Sequence, residues 1–304
     1  MTKPTGRMTK PNLSLGFTDT FENCEKFFTD ILSRRFNIIR DDTFPDYLIF
    51  GDPNFGQNHY TYNAEKVTKI FYTGENARPN YYTYDHAITF DFENSPRHYR
   101  LPLYAMEMWA VMQDDKFTED YFYLKGLHKR VDWEKEFDTK TEQISYIQSN
   151  PRCEPRNEFV QILQKNFTVN CGGPHMNNIG RVIPRNRLAK MDYLRQHKLN
   201  VAFENGSHPG YVTEKLLDAF YSNTLPIYWG SENVGRDFNT KSFMNLGIKG
   251  FYYQHFGSDI RKLLNDKQAW CNVMSQPRFN YDIPNDYTNM ENFLDWFCTN
   301  VYKG

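Results

Sequence analysis

The stretch Phe203-Glu-Asn-Gly-Ser-His-Pro-Gly-Tyr-Val-Thr-Glu-Lys215, followed by Leu216-Leu-Asp-Ala-Phe220, is the densest signal in the chain. Its apolar approach, Leu199–Phe203, reads as a buried strand, and the Gly/Pro-containing segment after Glu204-Asn205 reads as a loop. The pattern over Glu214–Tyr221 then predicts a helix, with Thr213 placed to cap it. A helix start exposes backbone N–H groups at the positive end of the dipole, which attracts phosphate. Lys215 would add a point charge, Tyr211 a ring at the mouth, and Glu214 an acceptor for ribose or sugar hydroxyls. Taken alone, the stretch fits an ordinary capped strand–loop–helix equally well.

Working outward, the same grammar recurs on both sides. Downstream, Leu225–Trp229 reads as a strand, and Met290–Tyr302 as a closing helix with Phe293, Leu294 and Phe297 on one stripe. Upstream, Gln143–Gln148 and Phe167–Asn170 read as strands flanking a helix over Glu154–Lys165. Gly172-Gly173-Pro-His175 follows as a loop, serving a nucleotide or simply turning the chain. The first half alternates likewise: strands over Leu13–Phe17, Asn37–Arg40, Asp46–Phe50, Val67–Tyr72 and Ala87–Phe92. Its helix, Glu22–Phe36, has Cys24, Phe27, Phe28, Ile31 and Leu32 on one face. The charged stretch Gln113–Thr141 has no clear hydrophobic period and marks the expected boundary. Strand–helix alternation on both sides predicts two doubly wound α/β units, facing each other across a cleft. The expected domains are 1–140 and 141–288, with 289–304 a helix packing back on the first.

Composition narrows the chemistry. The 304 residues carry 36 Lys+Arg against 37 Asp+Glu, so a polyanionic partner such as nucleic acid is not expected. Aromatics make up 17% of the chain, against only 39% hydrophobic residues in all, so rings must fill much of the core. Phe27, Phe28, Phe159 and Phe220 fall on such stripes. Tyr211, Tyr72 and Trp229 lie beside the motifs and are the candidates for ligand contact. Five scattered cysteines without a C-x-x-C pattern read as free thiols. No run approaches the length of a membrane span, and the polar start lacks an apolar signal core, so the cytoplasm is the expected compartment. No Asp-x-Asp pair, Walker loop or spaced histidine set occurs, which argues against metal, kinase and NTPase chemistry.

Beyond these patterns, the chain resembles the α1,3-fucosyltransferases of glycosyltransferase family ten, most closely the bacterial members. The resemblance rests on Phe203–Lys215 with Ala219-Phe220, on Leu225-Pro-Ile-Tyr-Trp-Gly230, and on Asp237-Phe-Asn-Thr-Lys-Ser-Phe243. It extends upstream to Phe71-Tyr-Thr-Gly-Glu-Asn76 and Tyr99-Arg-Leu-Pro-Leu-Tyr104. It implies an α/β GT-B architecture of two Rossmann-like domains, the acceptor on the first and GDP-β-L-fucose on the second. It implies an inverting reaction that requires no metal and no cofactor beyond the co-substrate.

That reaction needs a base, because a sugar hydroxyl is a poor nucleophile at neutral pH. The resemblance assigns this role to Glu75, at the end of a strand; a solvated turn carboxylate is the bland alternative. The leaving diphosphate must also be stabilised. By resemblance Arg156 and Lys215 grip it, and a bound anion would offset the cost of a cation near a helix start. Asn205, Tyr211 and Glu214 are the matched positions for guanosine and fucose, with Glu214 toward the ribose. The expected acceptor is lactose or an N-acetyllactosamine-type glycan, fucosylated at the 3-hydroxyl of GlcNAc or Glc. The alternatives are an α1,4-fucosyl or other GDP-sugar transferase, and a catalytically silent glycan- or nucleotide-binding protein. A variant Lys215→Ala is expected to weaken GDP binding while leaving the fold intact.

Overall fold

A computed structural model describes residues 10–112, 131–247, 253–280 and 289–304. The chain forms two compact units: residues 1–101 with 289–304, and residues 102–288. Each is built on a wholly parallel sheet.

In the first unit, strands β1 (Asn12–Thr18), β2 (Asn37–Arg40), β3 (Tyr47–Phe50), β4 (Thr68–Tyr72), β5 (His86–Thr89) and β6 (His98–Arg100) lie in the order β2-β1-β3-β4-β5-β6. The central strands β3, β4 and β5 are buried along their whole length, as expected for parallel strands covered on both faces. Helix α1 (Glu22–Leu32) buries the stripe Cys24, Phe27, Phe28, Ile31 and Leu32. It stops four residues short of the expected Phe36, where the chain turns toward β2. The tail packs on this unit. Phe293 lies 5.8 Å from Phe28, Phe297 lies 5.7 Å from Phe36, and Arg35 pairs with Glu291 and Asp295.

The second unit opens with α2 (Leu103–Met112), followed by α3 (Trp133–Thr139). Its sheet comprises β7 (Glu142–Tyr146), β8 (Val169–Cys171), β9 (His197–Phe203), β10 (Leu225–Trp229) and β11 (Met244–Asn245), ordered β11-β10-β9-β7-β8. Around it lie α4 (Glu154–Gln164), α5 (Arg187–Arg195), α6 (Lys215–Tyr221), α7 (Tyr253–Asn265) and α8 (Lys267–Met274). The last helix, α9 (Glu291–Trp296), belongs to the tail. The aromatic excess fills the core: Phe159 stacks on Phe203 at 4.7 Å, and Phe203 lies 5.8 Å from Trp229.

The division between units falls after Leu101, well upstream of the boundary expected at 140. The reason is α2, an apolar helix that the charge pattern did not reveal. Its Tyr104 packs 4.9 Å from Phe238, and its Glu107 pairs with Arg187, both in the second unit. Of the charged stretch Gln113–Thr141, residues 113–130 lie outside the described set. Its end forms α3, capped by the Asp132 side chain accepting from Lys135 N.

Candidate active site

Both sheets share one ordering: the chain starts in the interior, steps to one edge, then returns to the other side of the first strand. In each sheet this makes a switch point, where neighbouring loops diverge and leave a crevice at the carboxyl ends of the strands. In the second unit that point lies between β7 and β9. Arg156, on the first turn of α4, and Asn205, just past β9, meet there. The Arg156 side chain is wholly buried. Its Nη1 donates to Asn205 Oδ1 at 2.8 Å and its Nη2 to the Asn150 carbonyl at 2.7 Å, while Nε has no partner. Gln148 Nε2 donates to the same Asn205 oxygen at 3.4 Å.

Next to Asn205, the strand end and the loop after it carry a charge network. Glu204 is wholly buried at the end of β9. Its Oε1 accepts from Thr213 N at 2.8 Å, and its Oε2 accepts from the Thr213 hydroxyl at 2.6 Å and pairs with Lys215 Nζ at 3.2 Å. Lys215 also donates to Thr213 Oγ1 at 2.8 Å and sits 3.5 Å from Glu214 Oε1. Lys190, from α5, pairs with Asp218 and lies 4.0 Å from Glu214. Burial pushes the Glu204 carboxyl above its usual range in spite of Lys215. Burial would raise Glu214 as well, but the Lys215 and Lys190 charges outweigh it and hold that carboxyl at about 2. Glu214 therefore stays an anion and a hydrogen-bond acceptor at any working pH.

Several expectations change here. Tyr211 is not a ring at the mouth; it is completely buried, as Tyr72 and Trp229 nearly are, and all three are core residues. The loop turns Tyr211 inward because Gly210 adopts φ +83° and its N–H donates to Ser231 Oγ, while Tyr211 N donates to His208 O. Thr213 does not cap α6. The helix begins at Lys215 with Glu214 at the cap position, and the Thr213 hydroxyl is committed to Glu204. Lys215→Ala would not leave the fold untouched, since it strips a buried carboxylate of its cation, at a cost of about 3 kcal/mol. The pair Gly172-Gly173 needs no ligand to explain it: a Cβ at Gly173 would lie 2.3 Å from Gln148 O.

Glu204, Lys190 and Asp218 went unassigned in the sequence. A glutamate closing a fully buried strand was a readable signal for the first, and its spacing of four from Glu214 was one for Asp218. Lys190 is brought in from another helix, and nothing local announces it. Gly230 carries the matching trace of Glu204, because a Cβ there would come within 2.5 Å of Glu204 Cγ.

In the first unit, Glu75 lies just beyond β4, partly exposed. Its backbone N–H donates to Thr73 Oγ1 at 3.0 Å, and that hydroxyl donates to Asp52 Oδ2 at 3.1 Å, which ties two strand ends together. At the switch point between β1 and β3, Asp19 accepts from Asn58 N, Asn58 Nδ2, His59 N and His59 Nδ1, all within 2.8–3.0 Å. A cavity of about 430 Å³ opens at the opposite, amino-terminal edge of this sheet, among Asp46, Lys66, Asp85 and Lys303. None of the expected site residues lines it.

Two family models account for most of the chain. The N-terminal domain model of the α-(1,3)-fucosyltransferase FucT matches residues 14–107, and the C-terminal model of glycosyltransferase family 10 (fucosyltransferase) matches residues 137–301. The chain belongs to glycosyltransferase family 10.

The α-(1,3)-fucosyltransferase FucT of Helicobacter pylori is 34% identical over 248 residues, 74% of this chain and 50% of the relative. GDP-fucose protein O-fucosyltransferase 3 of Xenopus tropicalis is 30% identical over 162 residues, 50% of this chain and 31% of the relative. The chain thus spans half or less of the length of these curated relatives. A crystal structure of an α1,3-fucosyltransferase with GDP-fucose aligns over 100% of this chain and 95% of its own, with TM-score 0.76 and 27% identity. The same kind of enzyme with GDP aligns over 98% and 93%, again at TM-score 0.76 and 27% identity. The architecture of this family 10 chain is therefore the GT-B type of α/β fold. Among its described residues, no helix is long and apolar enough to cross a membrane.

Proposed function

We propose that this glycosyltransferase transfers L-fucose from GDP-β-L-fucose, with inversion, to the 3-hydroxyl of GlcNAc or Glc in Gal/GlcNAc-type oligosaccharides. The observation that carries the reading is Arg156: a wholly buried guanidinium at the switch point, bound to an amide and a carbonyl, with Nε still open. Among the described residues it forms no ion pair with a carboxylate, and a buried cation without one is costly. A diphosphate would supply the missing charge. Lys215 would share it, and Glu214, held anionic, would accept from the ribose hydroxyls. Glu75 would take the acceptor proton as the hydroxyl attacks the anomeric carbon opposite the departing GDP.

The test is GDP release from GDP-fucose with N-acetyllactosamine or lactose present, wild type against Glu75→Gln. Loss of the base should lower kcat by roughly 10²–10⁴ with little change in donor affinity. Equal rates would remove Glu75 from the chemistry, and no turnover by the wild type on any glycan would favour a silent binding protein. Transfer to the 4-hydroxyl instead would carry over the activity of the α-(1,4)-fucosyltransferase of Arabidopsis thaliana, 29% identical over 43% of this chain. Linkage analysis of the product separates the two.

A further inference from the structure

We propose that Glu204 is the resting counter-ion of Lys215, that a nucleotide-sugar diphosphate displaces it, and that donor binding therefore draws a proton from solvent onto Glu204. The inference rests on the reading of Lys215 as a diphosphate ligand and adds a group that reading does not use.

The geometry supports an exchange of partners. Glu204 is sealed from solvent, whereas the Lys215 side chain keeps 15% of its surface. The lysine thus lies between a buried carboxylate and the surface of the loop. The groups around Glu204 leave it no substitute. Thr213 offers a backbone N–H and a hydroxyl, and Glu214 on the same loop is itself an anion. From β10 and the turn after it come the Tyr228 hydroxyl, also buried, and Gly230. Cys153, at the start of α4, donates its thiol to the Glu204 backbone carbonyl at 3.7 Å and not to the carboxylate. Among the described residues, Lys215 is the one cation paired with Glu204.

When Lys215 turns to the diphosphate, Glu204 is left as a buried carboxylate facing another carboxylate and two hydroxyls. An ion in that position neutralises rather than remaining charged. The proton comes from water or buffer. The neutral acid can donate its new O–H to Thr213 Oγ1, already 2.6 Å away. Binding then depends on pH with a defined sign: the bound state holds more protons, so affinity rises as pH falls, by up to about tenfold per unit where uptake is complete.

Isothermal titration of wild-type protein with GDP-fucose, without acceptor, tests this. The diphosphate of GDP-fucose is esterified at both ends and does not itself titrate near neutrality. Titrations at pH 6.5 in Mes and in imidazole, which differ in ionisation enthalpy, should report net uptake approaching one proton per donor bound, shrinking toward pH 8. Glu204→Gln, which keeps the shape and removes the charge, should bind GDP-fucose with no uptake and a flat pH dependence. Wild-type binding without uptake from pH 6 to 8 would overturn the proposal, whatever the fate of the variant. So would uptake that persists in Glu204→Gln, which would place the proton elsewhere. A double variant, Glu204→Gln with Lys215→Met, separates this from the underlying reading. If it binds GDP-fucose as tightly as Glu204→Gln alone, Lys215 is not a diphosphate ligand and both fall; if it binds more weakly, only the proton is at issue.

Discussion

The two sheets of this family 10 chain have the same strand order around their switch points but furnish them with opposite chemistry. Between β7 and β9 the crevice holds a buried cation, Arg156, whose partners are an amide and a carbonyl, with a charge network one residue away. Between β1 and β3 it holds a buried anion, Asp19, saturated by four donors from Asn58 and His59. In the second arrangement the carboxylate is satisfied without a ligand, though His59 Nε2 has no partner, and the bonds hold the loop after β3 in place. The first leaves a guanidinium nitrogen without a partner and, among the described residues, a positive charge without a paired carboxylate. Topology makes a crevice at both points; only the residues placed there decide whether it pins a loop or awaits an anion.

The sharpest way to break that contrast is to remove both charges and compare the readouts. Arg156→Met should cost the second unit its donor, with GDP-fucose affinity falling at least about a hundredfold, near 3 kcal/mol, by calorimetry. Unchanged affinity would reduce Arg156 to a core residue. Asp19→Ala should instead lower stability by about 3 kcal/mol, read as a shift in the denaturant midpoint, with donor affinity kept. Its pH dependence sharpens the point. Burial raises the Asp19 carboxyl, but the His59 and Asn58 donors outweigh that and hold it below the usual range. Its stabilisation is thus present above the unfolded value near 4 and lost as pH falls through the lower folded value, and Asp19→Ala should flatten that acid limb.

A smaller effect is expected at Glu214. Glu214→Gln keeps a hydrogen-bonding oxygen but loses the charge between Lys190 and Lys215, and donor affinity should change by no more than about tenfold. The smallest concerns metal: turnover in excess EDTA should match turnover with added magnesium or manganese. A rate restored only by metal would mean that Arg156 and Lys215 do not neutralise the diphosphate unaided.

Much of this was legible in the residues. The run from Phe203 to Lys215 declared strand, loop and helix, and Arg156, Asn205, Glu214 and Lys215 do gather along one edge of one unit. What failed was anything that depended on side-chain direction within a loop. Tyr211 looked like a ring for a ligand, yet Gly210 and Ser231 turn it into the core. Thr213 looked like a cap, yet a buried carboxylate claims its hydroxyl. Charge density also misled at 113–141, where a boundary was expected, because the decisive element was the apolar helix just before it.

The chain alone specifies two parallel α/β sheets, because hydrophobic period and turn residues act over a few neighbours and leave a local trace. It also determined the family, through motifs spread over most of the chain. Which charges meet is settled in three dimensions. Glu204 at a strand end meets Lys215 of α6, and Lys190 of α5 meets Asp218 of α6. Their pairing is set by a few ångströms of packing across the sheet and by burial that makes each unmatched charge expensive. No local pattern encodes that cost, so the counter-ion of Lys215 had to be seen in the fold.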